Sequence, residues 1–214
     1  GRRYSKWNRA IPPLQYQLLP SIPSPLSLAV RNKIPIQWLH HINQQELDEI
    51  QKLQPDLIIT CGFSIILTPP LLNLPAIGCI NVHTAQLPKH RGANPCAHVI
   101  LDQDTQSGVT IHITEEGIDT GPILEQQTFP ISETDTSMDV YITSAEITEQ
   151  MITQTIDRIQ QNGFAHASPQ APATATYDPR FDHQAAKIDW TTPAETIDRQ
   201  IRAALAYGPA WFTF

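Results

Sequence analysis

No stretch of this 214-residue chain stays apolar for long. Its apolar runs, such as Leu57-Ile58-Ile59 and Ile65-Ile66-Leu67, fall far short of the roughly 20 residues that a membrane-spanning helix needs, so no membrane partner is expected. Cysteine is scarce. Cys61, Cys79 and Cys96 are odd in number, sit singly among apolar neighbours and form no C-x-x-C pair. That argues against a disulfide frame or a zinc site and leaves three buried thiols in a reducing compartment as the expectation. A charged segment followed by an apolar core, the mark of a secretory leader, is missing from the start, so the expected location is cytoplasmic. Acidic residues are absent before Glu46, whereas Arg2, Arg3, Lys6, Arg9, Arg31 and Lys33 all fall there. With a net charge of −7, the body as a whole is a poor nucleic acid binder. The basic amino-terminal arm is either a solubilising tail or a local phosphate-binding feature. There is no internal repeat; no H-E-x-x-H occurs and no histidine clusters with cysteine, so no metal is expected, and no serine or cysteine is placed as an evident nucleophile.

What is present is an alternation of strands and helices. At this length, with 41% hydrophobic and 16% charged residues, the chain can bury the core of one soluble domain and the start of another. Five prolines between Pro12 and Pro25 predict an extended start, with Ser24-Pro25 opening a short helix to about Val30. Ile34-Pro35-Ile36 is a candidate edge strand. Leu47, Ile50 and Leu53 recur at helical spacing between Asn43 and Gln54, and Pro55 stops that helix. Leu57 to Thr60, without polar alternation, predicts a strand covered on both faces. A second strand starts at Ile77, and Ala93 to Leu101 predicts a helix. Gly108 to Ile113 and Ile123 to Thr128 predict a hairpin-like pair around the turn Glu115 to Gly121. Met138 to Gln161 predicts a long helix buried along Tyr141, Ala145, Thr148, Met151 or Ile152, Ile156 and Ile159. Residues 163–177 predict an exposed connector. Thr192-Pro193-Ala194-Glu195 predicts a capping box ahead of a helix buried along Ile197, Ile201, Ala204 and Leu205. The fold class expected is α/β, with a mainly parallel sheet between helices.

The stretch with chemistry in it is Ile77-Gly78-Cys79-Ile80-Asn81-Val82-His83. Alternation puts Asn81 and His83 on one face, and two polar groups at the end of an apolar strand are costly to bury without partners. The carboxyl ends of parallel strands are also where ligands bind. With Asp119 from the later turn, an amide, an imidazole and a carboxylate are available. That set can stabilise an oxyanion and pass protons while an acyl group moves directly between two nitrogens. Asp119-Thr120-Gly121 also spells the aspartic protease tripeptide, but that chemistry needs two such carboxylates sharing a proton.

Asn81-Val82-His83, Leu87-Pro88, Arg91-Gly92 and Gly117-Ile118-Asp119-Thr120-Gly121, in this order, resemble the signature of the 10-formyltetrahydrofolate-dependent formyltransferases. The resemblance covers nearly the whole chain. It implies a Rossmann-like catalytic domain over residues 1–162, cut short at its amino end. Residues 163–214 would then be a connector and helical segment leading to a further domain. It implies Asn81, His83 and Asp119 as catalytic residues, with Asp119 orienting His83. Folate would lie in a cleft walled by Phe63, Ser64, Ile65, Ile66 and Leu67 and by Ala85, Gln86, Leu87 and Pro88. Ala85-Gln86 departs from the family's usual Ser-Leu. The carboxyl-terminal segment, Lys187-Ile188-Asp189-Trp190 into Pro193-Ala194-Glu195, is similar to members that formylate methionyl-tRNA. That implies initiator tRNA as partner, contacted by Arg2, Arg3, Lys6, Arg9 and Arg91, and a monomer. Gly62 to Pro69 and Asp119 to Pro122 are similar instead to members acting on glycinamide ribonucleotide, and UDP-amino sugars are the acceptors of others. A non-catalytic nucleic-acid-binding module would rest on the basic arm alone.

Overall fold

The computed structural model describes residues 25–39 and 41–213. The predicted contacts of Arg2, Arg3, Lys6 and Arg9 lie outside the described residues. The chain divides into two units, residues 1–41 and 42–214. In the first, helix α1 (Pro25–Arg31) forms as expected, but Ile34 to Ile36 pair with no strand among the described residues.

The second unit is built on a four-stranded sheet of β1 (Leu57–Cys61), β2 (Gly78–His83), β4 (Gln106–Ile113) and β5 (Ile123–Pro130), in the order β1-β2-β4-β5. β1 and β2 run parallel; β2–β4 and β4–β5 are antiparallel, so this described sheet is mixed. Helix α2 (Gln44–Lys52) starts at Asn43, whose side chain accepts from the backbone of Gln45 and Glu46 while Glu46 reaches back. Short helix α3 (Pro69–Leu72) follows β1, and a two-residue strand β3 (Arg91–Gly92) precedes α4 (Pro95–Leu101). The long helix α5 (Ser137–Asn162) and α6 (Ala194–Ala204) complete the frame, and β6 (Tyr177–Asp178) pairs in parallel with β3.

One face of the sheet, carrying Ile80, Val82, Val109 and Ile111, packs with Ile147, Met151 and Ile159 of α5. β1 is half open, with Ile59 41% exposed, so it is not covered on both faces as its composition suggested. The buried stripe of α5 is Ser137, Val140, Ser144, Ile147, Met151, Thr155 and Ile159, one position away from the expected one at Tyr141 and Ala145. Small hydroxyl residues fit that phase: Thr155 donates to the Met151 carbonyl of its own helix, and Ser137 accepts from the distant Ala206 amide. α6 likewise buries Ala203 and Ala204 while Ile201 and Leu205 stay exposed. Its capping box does not form. Pro193 is the cap, and the Thr192 hydroxyl donates to the Asp189 carbonyl instead. Cys61 is exposed, contrary to expectation; Cys79 and Cys96 are buried.

Candidate active site

The opposite face of the sheet is polar. Register places Thr60 beside Asn81, Asn81 beside His112, His83 beside Thr110, and Thr110 beside Gln126. Thr110 and Gln126 bind the loop after β2 to this face. The Thr110 hydroxyl donates to the Ala85 carbonyl at 2.7 Å and accepts from the Leu87 amide at 3.2 Å, and the Gln126 amide donates to the Leu87 carbonyl at 2.9 Å. Ala85 and Leu87, expected to wall the folate cleft, are buried against this face, and Leu67 is buried with Leu71 and Cys79. Phe63 and Ile66 are open, 41% and 69% exposed, at the carboxyl end of β1; Ser64 is exposed and Ile65, Gln86 and Pro88 are half-buried.

Asn81, His83 and Asp119 converge. The Thr60 hydroxyl donates to Asn81 Oδ1 at 2.8 Å, which fixes the amide and turns Nδ2 toward Asp119 Oδ1, 3.3 Å away. Asp119 Oδ2 accepts from the Gly92 amide at 2.8 Å. His83 is buried, and its Nε2 donates to the His90 carbonyl at 2.7 Å, leaving Nδ1 facing Asp119 Oδ2 at 3.7 Å. That separation is too long for a hydrogen bond, so the His90 carbonyl, and not Asp119, orients His83. The nearer imidazole is one the sequence reading missed. His112 donates through Nδ1 to the Ile113 carbonyl and presents Nε2 to Asn81 Nδ2 and Asp119 Oδ1, each at 3.3 Å. The alternation of β4 already put a histidine on its polar side; only the pairing of Asn81 with His112 shows what it faces.

Charge is arranged unequally. Burial alone would raise the Asp119 pKa, but the His112 imidazole, the nearby His83 and the Gly92 amide hold it at about 2. Burial lowers the pKa of His83 despite the pull of Asp119. His90 goes the other way. Burial opposes its protonation, but Asp178 at 2.7 Å and Asp104 at 3.0 Å outweigh that and raise its pKa. Asp102, Asp178 and His90 also bring three candidate metal-ligand atoms within 4.8 Å, although these short contacts describe an imidazolium between carboxylates.

Arg91, expected to meet an anionic substrate, is buried: Nε and a terminal nitrogen donate to Gln170 Oε1 at 3.1 and 2.7 Å, and the other donates to the Tyr177 hydroxyl at 3.0 Å. Its partners come from residues 163–178. This segment stays near the surface but is no free connector, since Phe164 packs on the core, Ser168 pairs with Ile123, and the His90 amide donates to Thr176.

Residues 14–156, more than half of the chain, match the family described as formyl transferase. The methionyl-tRNA formyltransferase of Legionella pneumophila (strain Corby) is 36% identical over 176 residues, covering 82% of this chain and 56% of that protein. The chain thus spans little more than half the length of the curated relatives it matches. Among solved structures, the N-formyltransferase from Helicobacter canadensis, in complex with folinic acid and dTDP-3-aminofucose, has a TM-score of 0.65 at 28% identity, covering 83% of this chain and 62% of that one. Methionyl-tRNA formyltransferase from Clostridium thermocellum shares the fold, with a TM-score of 0.66 at 19% identity over 81% of this chain and 74% of that one.

Proposed function

The chain belongs to the formyl transferase family, and on that footing we propose that the protein moves a formyl group from 10-formyltetrahydrofolate to the amine of methionyl-tRNA. The observation that carries this reading is the meeting of Asn81, His83 and Asp119 on the polar face of the sheet. Asn81 Nδ2 is the donor for the oxygen of the formyl group as the amine attacks; its 3.3 Å contacts are of the long kind that tighten with substrate. Asp119, ionised well below neutral pH, accepts the proton the amine sheds. His83, neutral and pinned by His90, offers Nδ1 beside that carboxylate. Bound 10-formyltetrahydrofolate supplies the one-carbon unit. The exposed rings and chains of Phe63 and Ile66 fit a flat apolar partner, with Ser64, Ile65, Gln86 and Pro88 completing its surroundings. The basic arm, Arg2, Arg3, Lys6 and Arg9, would meet the tRNA phosphates.

The test is formyl transfer by the whole protein from 10-formyltetrahydrofolate to methionyl-tRNA, to glycinamide ribonucleotide and to a nucleotide-linked amino sugar. Transfer to methionyl-tRNA is expected. Transfer to the amino sugar alone would support the second reading, which the resemblance to the Helicobacter canadensis enzyme favours. No transfer to any of the three, with RNA still bound, would leave only a binding module.

A further inference from the structure

Asp119 has a backbone conformation that a residue with a side chain seldom keeps unaided, φ +50°, and its carboxylate nevertheless points at Asn81 and His112. Its own loop supplies little to hold it there. Thr120 bonds Glu115, and Gly121 lies so close to the Ile113 carbonyl that no side chain would fit. The restraint comes from far along the chain. Gln170 Nε2 donates one hydrogen to the Asp119 carbonyl and the other to the Gly121 carbonyl, both at 2.8 Å. Its Oε1 accepts twice from the Arg91 guanidinium. Every donor and acceptor of the carboxamide is matched, and a reversed amide would set NH2 against guanidinium and oxygen against two carbonyls. Arg91 is held in turn by the hydroxyl and ring of Tyr177, and the next residue, Gly92, gives its amide to the Asp119 carboxylate.

We propose that Gln170 is a positioning residue for the transfer reaction: by tying the Asp119 and Gly121 carbonyls to Arg91, it holds the Asp119 carboxylate in its reactive place. The inference rests on the reading of Asp119 as proton acceptor, and it is tested by Gln170→Ala and Gln170→Glu in the whole protein. Two quantities are read: the Asp119 carboxyl titration by carbon NMR, and kcat and KM for formyl transfer. In Gln170→Ala the Asp119 titration moves up toward that of an ordinary aspartate, and kcat falls about 10- to 100-fold with KM little changed, as expected of a misplaced group. Gln170→Glu is isosteric and keeps the Arg91 pair but faces both carbonyls with oxygen; it behaves the same way, and it decides the matter should the alanine variant not fold. An unmoved Asp119 titration, or a glutamate variant as active as the parent, overturns the proposal. If the parent transfers no formyl group at all, the titration still reports whether Gln170 places Asp119.

Discussion

The two faces of the sheet are written in the same strands, one residue apart, and they do different work. Ile80, Val82, Val109 and Ile111 meet α5 in a dry layer. Asn81, His83, Thr110, His112 and Gln126 meet loops, through hydrogen bonds instead of apolar contact, and Thr60 braces Asn81 from the next strand. The first face holds the molecule together and tolerates polar atoms poorly. The second keeps donors and acceptors oriented toward the place where Asn81, His83 and Asp119 meet. Buried polar groups are affordable there because nearly every one has a partner.

Substitutions should separate the faces. Ile111→Ala, at a fully buried position, should cost about 2–5 kcal/mol of stability in chemical denaturation, while the activity per folded molecule is kept. Asn81→Ala should do the reverse, lowering the transfer rate by roughly 10²–10³ with the melting temperature little changed. Acid should strike the polar face. The Asp119 pKa is depressed to about 2, so its contribution, on the order of 2 kcal/mol, is present above pH 4 and lost as pH falls toward 2. Asp119→Asn should flatten that part of the stability–pH curve. Smallest of all, Ser144→Ala should leave stability unchanged or raise it by up to about 1 kcal/mol, because this buried hydroxyl has no partner among the described residues. A drop above that size would mean the apolar face depends on polar contacts after all.

Much of this plan was legible in the residues. The alternation of β2 put Asn81 and His83 on one face, the family resemblance added Asp119 to them before any coordinates, and the predicted helix from Asn43 matches the start of α2. What was hidden had physical reasons. In α5, hydropathy favoured Tyr141, which is 51% exposed, over Ser137, Ser144 and Thr155, which are buried. Polarity does not reveal that Thr155 bonds its own helix or that Ser137 meets the Ala206 amide. Arg91 looked like a surface cation because nothing near it in sequence could satisfy a buried guanidinium; Gln170 and Tyr177 do so from 79 and 86 residues away. His112 needed strand register, which composition does not carry. Residues 163–178 have no hydrophobic period, and their information lies wholly in distant partners.

That distance has a consequence for how the protein comes into being. A ribosome that has made everything through α5 has supplied the four strands of the main sheet and the imidazoles of His83 and His112, yet Gln170, Thr176 and Asp178 are still unmade. The half-born chain can collapse around Ile80 and Ile111, but the Asp119 backbone lacks its tie to Gln170 until the segment after α5 is laid across it. Competence should therefore arrive late and all at once, after the bulk of the molecule has already taken shape.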